Sequence, residues 1–154
     1  MKICLACSTG GPLTQIKRLE KFYTKHDYFF VTFFSKPVED LAQKERFYFV
    51  KDPRRDLFRF LVNIFQSLKI FLKEKPDVIL SAGAGVAIAM CWWGRVFGRK
   101  VIFIEDWCMV EKPSLSGRFV YPVARIKALL SHLTQKITHV HGHITKVNID
   151  RAWS

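Results

Sequence analysis

The chain has 154 residues and a formal net charge of +12, from 25 Lys and Arg against 13 Asp and Glu. That length allows one domain with a core of its own, and no apolar run reaches the roughly 18–20 residues that a bilayer-spanning helix needs. A hydrophobic fraction of 49% with 14 phenylalanines is high for a soluble domain. It implies that a partner or a membrane covers part of the surface, while the basic excess favours anionic lipid, phosphorylated ligands or nucleic acid.

In chain order, Lys2-Ile3-Cys4-Leu5-Ala6-Cys7 reads as a buried strand, too short an apolar stretch for a signal peptide. It feeds the turn Ser8-Thr9-Gly10-Gly11-Pro12 and then a helix over residues 13–22. A strand entering a helix through two glycines lets backbone N–H groups approach an anion at the helix N-terminus, and a Cβ would hinder that approach. Cys4 and Cys7 have the CxxC spacing of redox and zinc sites. Residues three apart on a strand point to opposite faces, however, so both read as buried thiols.

Residues 28–34 form a dense β-former run, 38–45 read as a polar loop, 46–50 as a short strand and 51–55 as a turn. A long helix follows over residues 56–73, then a strand over 78–80. A second small-residue turn, Ser81-Ala82-Gly83-Ala84-Gly85, opens a helix reaching about residue 97, and a strand over 101–104 ends at Glu105 and Asp106. This alternation predicts an α/β fold, a Rossmann-like parallel sheet with helices on both faces. In such sheets ligands bind beyond the carboxyl ends of the strands. Thr9, Gly10 and Gly11, then Gly83, Ala84 and Gly85, then Glu105 should therefore line one cleft.

The long helix carries Leu57, Leu61, Ile64, Phe65, Leu68, Phe71 and Leu72 as one stripe, with Arg59, Asn63, Gln66 and Lys73 marking the other face. Phe58, Phe60, Val62 and Ile70 widen the apolar arc. The arc fits either a helix buried on both sides or an interfacial surface, because Arg54, Arg55, Arg59, Lys69, Lys73 and Lys75 ring it. The segment around Trp92, Trp93 and Arg95 repeats the combination of aromatic bulk and positive charge. Phe58, Arg59, Trp92, Trp93 and Arg95 are accordingly expected to contact an anionic membrane surface.

Three segments together resemble a known family: Cys7-Ser8-Thr9-Gly10-Gly11 with Leu13-Thr14-Gln15; Pro76-Asp77-Val78-Ile79-Leu80-Ser81-Ala82-Gly83-Ala84-Gly85-Val86; and Ile104-Glu105 with Lys112-Pro113-Ser114-Leu115-Ser116-Gly117-Arg118 and Tyr121-Pro122. In this order they are similar to the oligosaccharide-biosynthesis family of asparagine-linked glycosylation protein fourteen, whose bacterial members serve capsular and exopolysaccharide assembly. The resemblance implies the acceptor-side half of a GT-B glycosyltransferase, residues 1–124, related to the enzyme that adds N-acetylglucosamine to the peptidoglycan lipid precursor. It implies a separate UDP-sugar-binding subunit as partner and a lipid-diphosphate-linked saccharide as acceptor. The chain would work peripherally at the cytoplasmic face of the plasma membrane, without a cofactor or a metal, and would be inactive alone. Gly10 and Gly11 would face the diphosphate, Gly83, Ala84 and Gly85 would line a second loop, and Glu105 would be the cleft carboxylate, as a base or a hydrogen-bond acceptor.

Two departures stand out. Relatives usually carry His after the paired glycines, where this chain has Pro12, which has no side-chain donor or acceptor. Residues 125–154 do not follow the family pattern and read as a divergent basic segment. His139, His141 and His143 alternate within it, but no Cys or carboxylate nearby completes a metal site. A stand-alone nucleotide- or phosphate-binding module is the alternative function, although neither a full G-x-G-x-x-G nor a Walker lysine is present. No nucleic-acid-binding signature accompanies the positive charge, so no specific nucleic acid partner is expected.

Overall fold

A computed structural model describes residues 1–54, 56–83, 85–105, 119, 120, 122 and 126–129, with Glu105 and residues 126–129 described through their backbone. The elements in chain order are β1 (Lys2–Ala6), α1 (Gly11–Lys17), α2 (Glu20–Tyr23), β2 (Asp27–Thr32), α3 (Lys36–Ala42), β3 (Phe47–Phe49), α4 (Leu57–Glu74), β4 (Val78–Ser81), α5 (Gly85–Val96), β5 (Lys100–Glu105) and β6 (Ile126–Leu129).

The strands form one six-stranded sheet in the order β3-β2-β1-β4-β5-β6, with every neighbouring pair parallel. Parallel strands need crossovers and end up covered on both faces, which is why β1, β2, β4 and β5 read as nearly continuous apolar runs. One face packs α4 and α5 through Ile70, Phe71, Val86, Ala87, Met90 and Cys91 onto Cys4, Ala6, Phe29, Val31, Ile79 and Val101. The other packs α1, α2 and α3 through Leu13, Ile16, Tyr23 and Val38 onto Ile3, Leu5, Phe30, Val78 and Leu80. Helices thus cover both faces, as expected.

Three local readings change. The helix expected over residues 13–22 is two short helices, α1 and α2, separated at Arg18 and Leu19. The polar loop expected over 38–45 is largely α3, which starts with Pro37 in its first turn and buries Val38. Proline is accepted there because its missing N–H has no helical partner to lose. The sheet also extends past residue 124, since β6 pairs with β5 from Ile102↔Ile126 to Glu105↔Leu129.

The largest change concerns α4. Its buried residues are Asn63, Ser67, Ile70, Phe71 and Glu74, so Asn63, expected on the solvent side, packs inward, while Gln66 and Lys73 of the same set are exposed and Phe71 of the apolar stripe is buried. The apolar residues Leu57, Phe58, Leu61, Phe65 and Leu72 are exposed, from 45% at Leu61 to 75% at Phe58. The inward polar groups have partners. Asn63 Nδ2 donates to Lys51 O at 2.9 Å, Ser67 Oγ donates to Asn63 Oδ1 at 3.4 Å, and Glu74 accepts from Tyr48 Oη and from Lys2 Nζ at 2.9 Å. A buried polar group with such a partner avoids the desolvation penalty, and this leaves the apolar arc free to face outward.

Cys4 and Cys7 sit in the two opposite core layers, as strand geometry requires, and with Cys91 they are free buried thiols. Burial, above all else, raises all three thiol pKa values, to about 12 for Cys7 and Cys91.

Candidate functional site

The strand order reverses direction between β1 and β4. From β1 the chain builds outward to β2 and β3, then crosses to β4 and continues to β5 and β6 on the other side. Loops leaving adjacent strands on opposite sides of such a point diverge and open a crevice at the carboxyl edge. Ala6 of β1 is level with Ser81 of β4, and Ser81 with Phe103 of β5, so the two glycine turns and the end of β5 emerge side by side.

The first turn begins at half-buried Ser8 and Thr9 and reaches exposed Gly10 and Gly11. Gly10 stands before the first residue of α1 with φ 91° and ψ −133°, a conformation that side chains strongly disfavour. Its carbonyl accepts from Thr14 N at 3.0 Å and from Thr14 Oγ1 at 3.1 Å, which fixes the first turn of α1. A Cβ on Gly10 or Gly11 would meet no atom within 4 Å, so open space lies before both. Pro12 lies in the first turn of α1, where it costs no helical hydrogen bond.

The second turn leaves β4 at Ser81, whose Oγ accepts from the buried Gly83 N at 3.3 Å. Gly83 has φ 86°, again the region that favours glycine. Gly85 is the first residue of α5, and the first turn of that helix carries no acidic side chain. Its N–H groups and positive dipole end suit an anion. Glu105 closes β5, level with Leu129 of β6, which puts its backbone at the same edge. Ala84 and residues 106–118, with Tyr121, lie outside the described residues, as do His139, His141 and His143.

Thr32 was not singled out from the sequence. It ends β2 at the same edge, is fully buried, and its Oγ1 has no partner among the described residues. Nothing in its local sequence marks it, since threonine is ordinary in a strand. Among the described residues, no group of three His, Cys, Asp or Glu is placed to hold a metal.

The residues expected at a membrane lie on α4 and α5. Phe58 is 75% exposed, and Arg59 beside it pairs with Asp56 at 3.4 Å. Trp92 is 44% exposed, and its indole N–H donates to Phe119 O at 3.1 Å. Trp93 is half-buried, and its N–H donates to Ile64 O at 3.0 Å, holding α5 to α4. Arg95 is exposed. No helix among the described residues is long and apolar enough to cross a membrane.

A parallel sheet in the order 3-2-1-4-5-6, with glycine turns at its switch point, is a Rossmann-like architecture. MurG of Acinetobacter baumannii shares it, with a TM-score of 0.64 at 16% identity over 82% of this chain and 41% of that one. So do the UDP-N-acetylglucosamine 2-epimerases of Rickettsia bellii and Methanocaldococcus jannaschii. The first matches with a TM-score of 0.68 at 12% identity over 88% of this chain and 40% of the epimerase, the second with 0.65 at 11% over 90% and 43%. The chain therefore spans about two fifths of the length of these structures. No curated protein sequence matches it. The model of the family described as "Oligosaccharide biosynthesis protein Alg14 like" matches residues 50–142, more than half of the chain, which belongs to that family.

Proposed function

We propose that this chain is the acceptor-side, membrane-docking subunit of a two-chain glycosyltransferase that extends a lipid-diphosphate-linked saccharide in polysaccharide assembly. The observation that carries this reading is the pairing of two glycine turns at the β1/β4 switch point in a member of an oligosaccharide biosynthesis family. The Gly10–Gly11 turn and the N-terminus of α5 at Gly85 would receive the diphosphate, with Gly83 shaping the second turn through its bond to Ser81 Oγ, and Glu105 would accept a hydrogen bond from the acceptor sugar. A second polypeptide would bring the UDP-sugar, a reading that membership of the Alg14-like family supports.

Membrane docking rests on the outward apolar face of α4. Phe58 and Phe65 are 75% and 69% exposed, and Trp92 and Arg95 of α5 continue the surface. Aromatic bulk beside basic side chains suits the headgroup layer of an anionic bilayer. Lys and Arg exceed Asp and Glu by 12 charges, which favours the same leaflet chemistry.

The test is retention of tagged chain on membranes from its own cells, with mass spectrometry of what is co-purified, followed by a sugar-transfer assay on the recovered pair. Recovery of a small UDP-sugar-binding subunit and transfer by the pair alone would support the proposal. Tight binding of a UDP-sugar by the isolated chain, with no partner retained, would replace it by a stand-alone nucleotide-binding module.

A further inference from the structure

A groove of about 1070 Å³ lies between α4 and α5, and its charge distribution is uneven. Phe60 and Ile64 of α4 and Ile88, Trp92 and Val96 of α5 contribute an apolar wall. The charged groups on its lining, Asp52, Arg54 and Asp56, all precede α4. They gather at one end because the two helices run side by side in the same direction: Pro53 lies against Gly85, Trp93 bonds to Ile64, and Phe71 stacks on Phe97. The charged end is therefore at the carboxyl edge of the sheet, beside the Gly83–Gly85 turn, and the apolar part runs down α5 for about 18 Å at 1.5 Å per residue. Asp52 is paired with Arg54 at 3.2 Å and Asp56 with Arg59 at 3.4 Å, so the acids there are neutralised. Leu57 and Val96 line the groove yet are 74% and 65% exposed, which leaves it open along its side.

We infer that this groove takes up the first part of the hydrocarbon chain of the diphosphate lipid, drawing it out of the bilayer while the diphosphate rests at the glycine turns. The inference rests on the acceptor being lipid-linked, as proposed above, and adds a binding site for the chain itself. The occupant follows from the polarity of the groove. An amphiphile with an anionic head and one apolar tail matches a trough that is apolar along its length and opens at one end onto an anion-suited helix N-terminus. The side opening faces the same way as exposed Leu57, so a chain could enter laterally from a bilayer lying on α4.

Calorimetric titration of the full chain, in detergent-free buffer, with inorganic diphosphate, geranyl diphosphate and farnesyl diphosphate tests this directly. Affinity is expected to rise with chain length, with farnesyl diphosphate at least about tenfold tighter than diphosphate, because each buried methylene adds to binding. Leu57→Gln and Val96→Gln, both at exposed positions, should each weaken farnesyl diphosphate several-fold and leave diphosphate unchanged. Phe65→Gln, outside the groove, should leave farnesyl diphosphate unchanged and reduce retention on anionic phosphatidylglycerol vesicles. Equal affinities for the three probes, or Leu57→Gln and Val96→Gln variants that bind farnesyl diphosphate normally, would overturn the groove and leave the docking reading standing. Groove-dependent farnesyl binding without any partner or transfer activity would instead overturn the two-chain transferase reading alone.

Discussion

Gly94, in the body of α5, lies against Ile79 of β4 so closely that a Cβ would overlap Ile79 Cδ1 and approach Val101 Cγ2 at 3.1 Å. Glycine inside a helix costs roughly 0.5–1 kcal/mol relative to alanine, so its presence there answers to packing. The helix that carries Gly85, Trp92 and Trp93 is seated on the sheet at this point. Gly94→Ala is expected to destabilise the fold by about 1–3 kcal/mol, read as a lower urea midpoint. In the Ile79→Ala background, Gly94→Ala should cost less than in the parent chain; if the two substitutions are simply additive, the contact is not the cause.

The paired glycines of the first turn should behave differently from each other. Gly10 has φ 91°, whereas Gly11 is the first residue of α1, and both have open space beside them. Gly10→Ala should cost about 1–3 kcal/mol through backbone strain. Gly11→Ala should stay within about 0.5 kcal/mol in stability and weaken diphosphate binding, since the new methyl occupies the approach. Chemical denaturation of the two variants, paired with diphosphate titration, checks both outcomes.

Glu74 gives the fold an acid-sensitive point. Burial alone would raise its pKa, but hydrogen bonds from Tyr48 and Lys2 and the charges of Lys2 and Arg46 outweigh burial and hold it below the ordinary carboxylate value. A depressed carboxylate contributes stability above its unfolded pKa and loses it as pH falls through the folded one. The network should therefore hold at neutral pH and weaken below about pH 4.5, the ordinary value for Glu. Glu74→Gln should lower stability at pH 7 by about 1–3 kcal/mol and flatten the stability profile at acid pH. An unchanged acid limb in that variant would assign the sensitivity to other carboxylates.

Cys4, Cys7 and Cys91 are buried, with thiol pKa values raised by burial. The thiolate is the reactive form, so all three should resist alkylation by iodoacetamide at pH 8 and react only after unfolding. Mass spectrometry of the native and denatured chain distinguishes this from an accessible redox pair at Cys4 and Cys7.

The alternation of strands and glycine turns was legible because each inner strand is buried on both faces and reads as an unbroken apolar run. The convergence at one edge followed from that alternation alone. For α4 the periodicity left two readings open, and the exposed apolar arc matches the interfacial one; the residues that pack inward were not legible. An apolar stripe ordinarily faces the core, but here Asn63 and Glu74 face inward, satisfied by Lys51 O and by Tyr48 and Lys2, and Lys2 stands 72 positions from Glu74. Partners that distant cannot be read from helical periodicity. Helix α3 was missed because it is seven residues long and buries only Val38. Gly94 escaped notice because its role depends on the Ile79 side chain of another element, and Thr32 because its position becomes distinctive only once the strand order is known.

The place of β1 at the centre of the sheet has a kinetic consequence. β1 bonds to β2 on one side and to β4 on the other, so its second edge stays unpaired until residues 78–81 are available. During synthesis the first three strands can assemble early, but they present an open apolar edge for the time taken to make α4. Parallel pairing across such a separation is slow, and unpaired edges of this kind invite association between chains. Expression yield should thus depend on how promptly α4 and β4 close over β1, which makes α4, with its large outward apolar face, the segment where chaperone capture during translation would matter most.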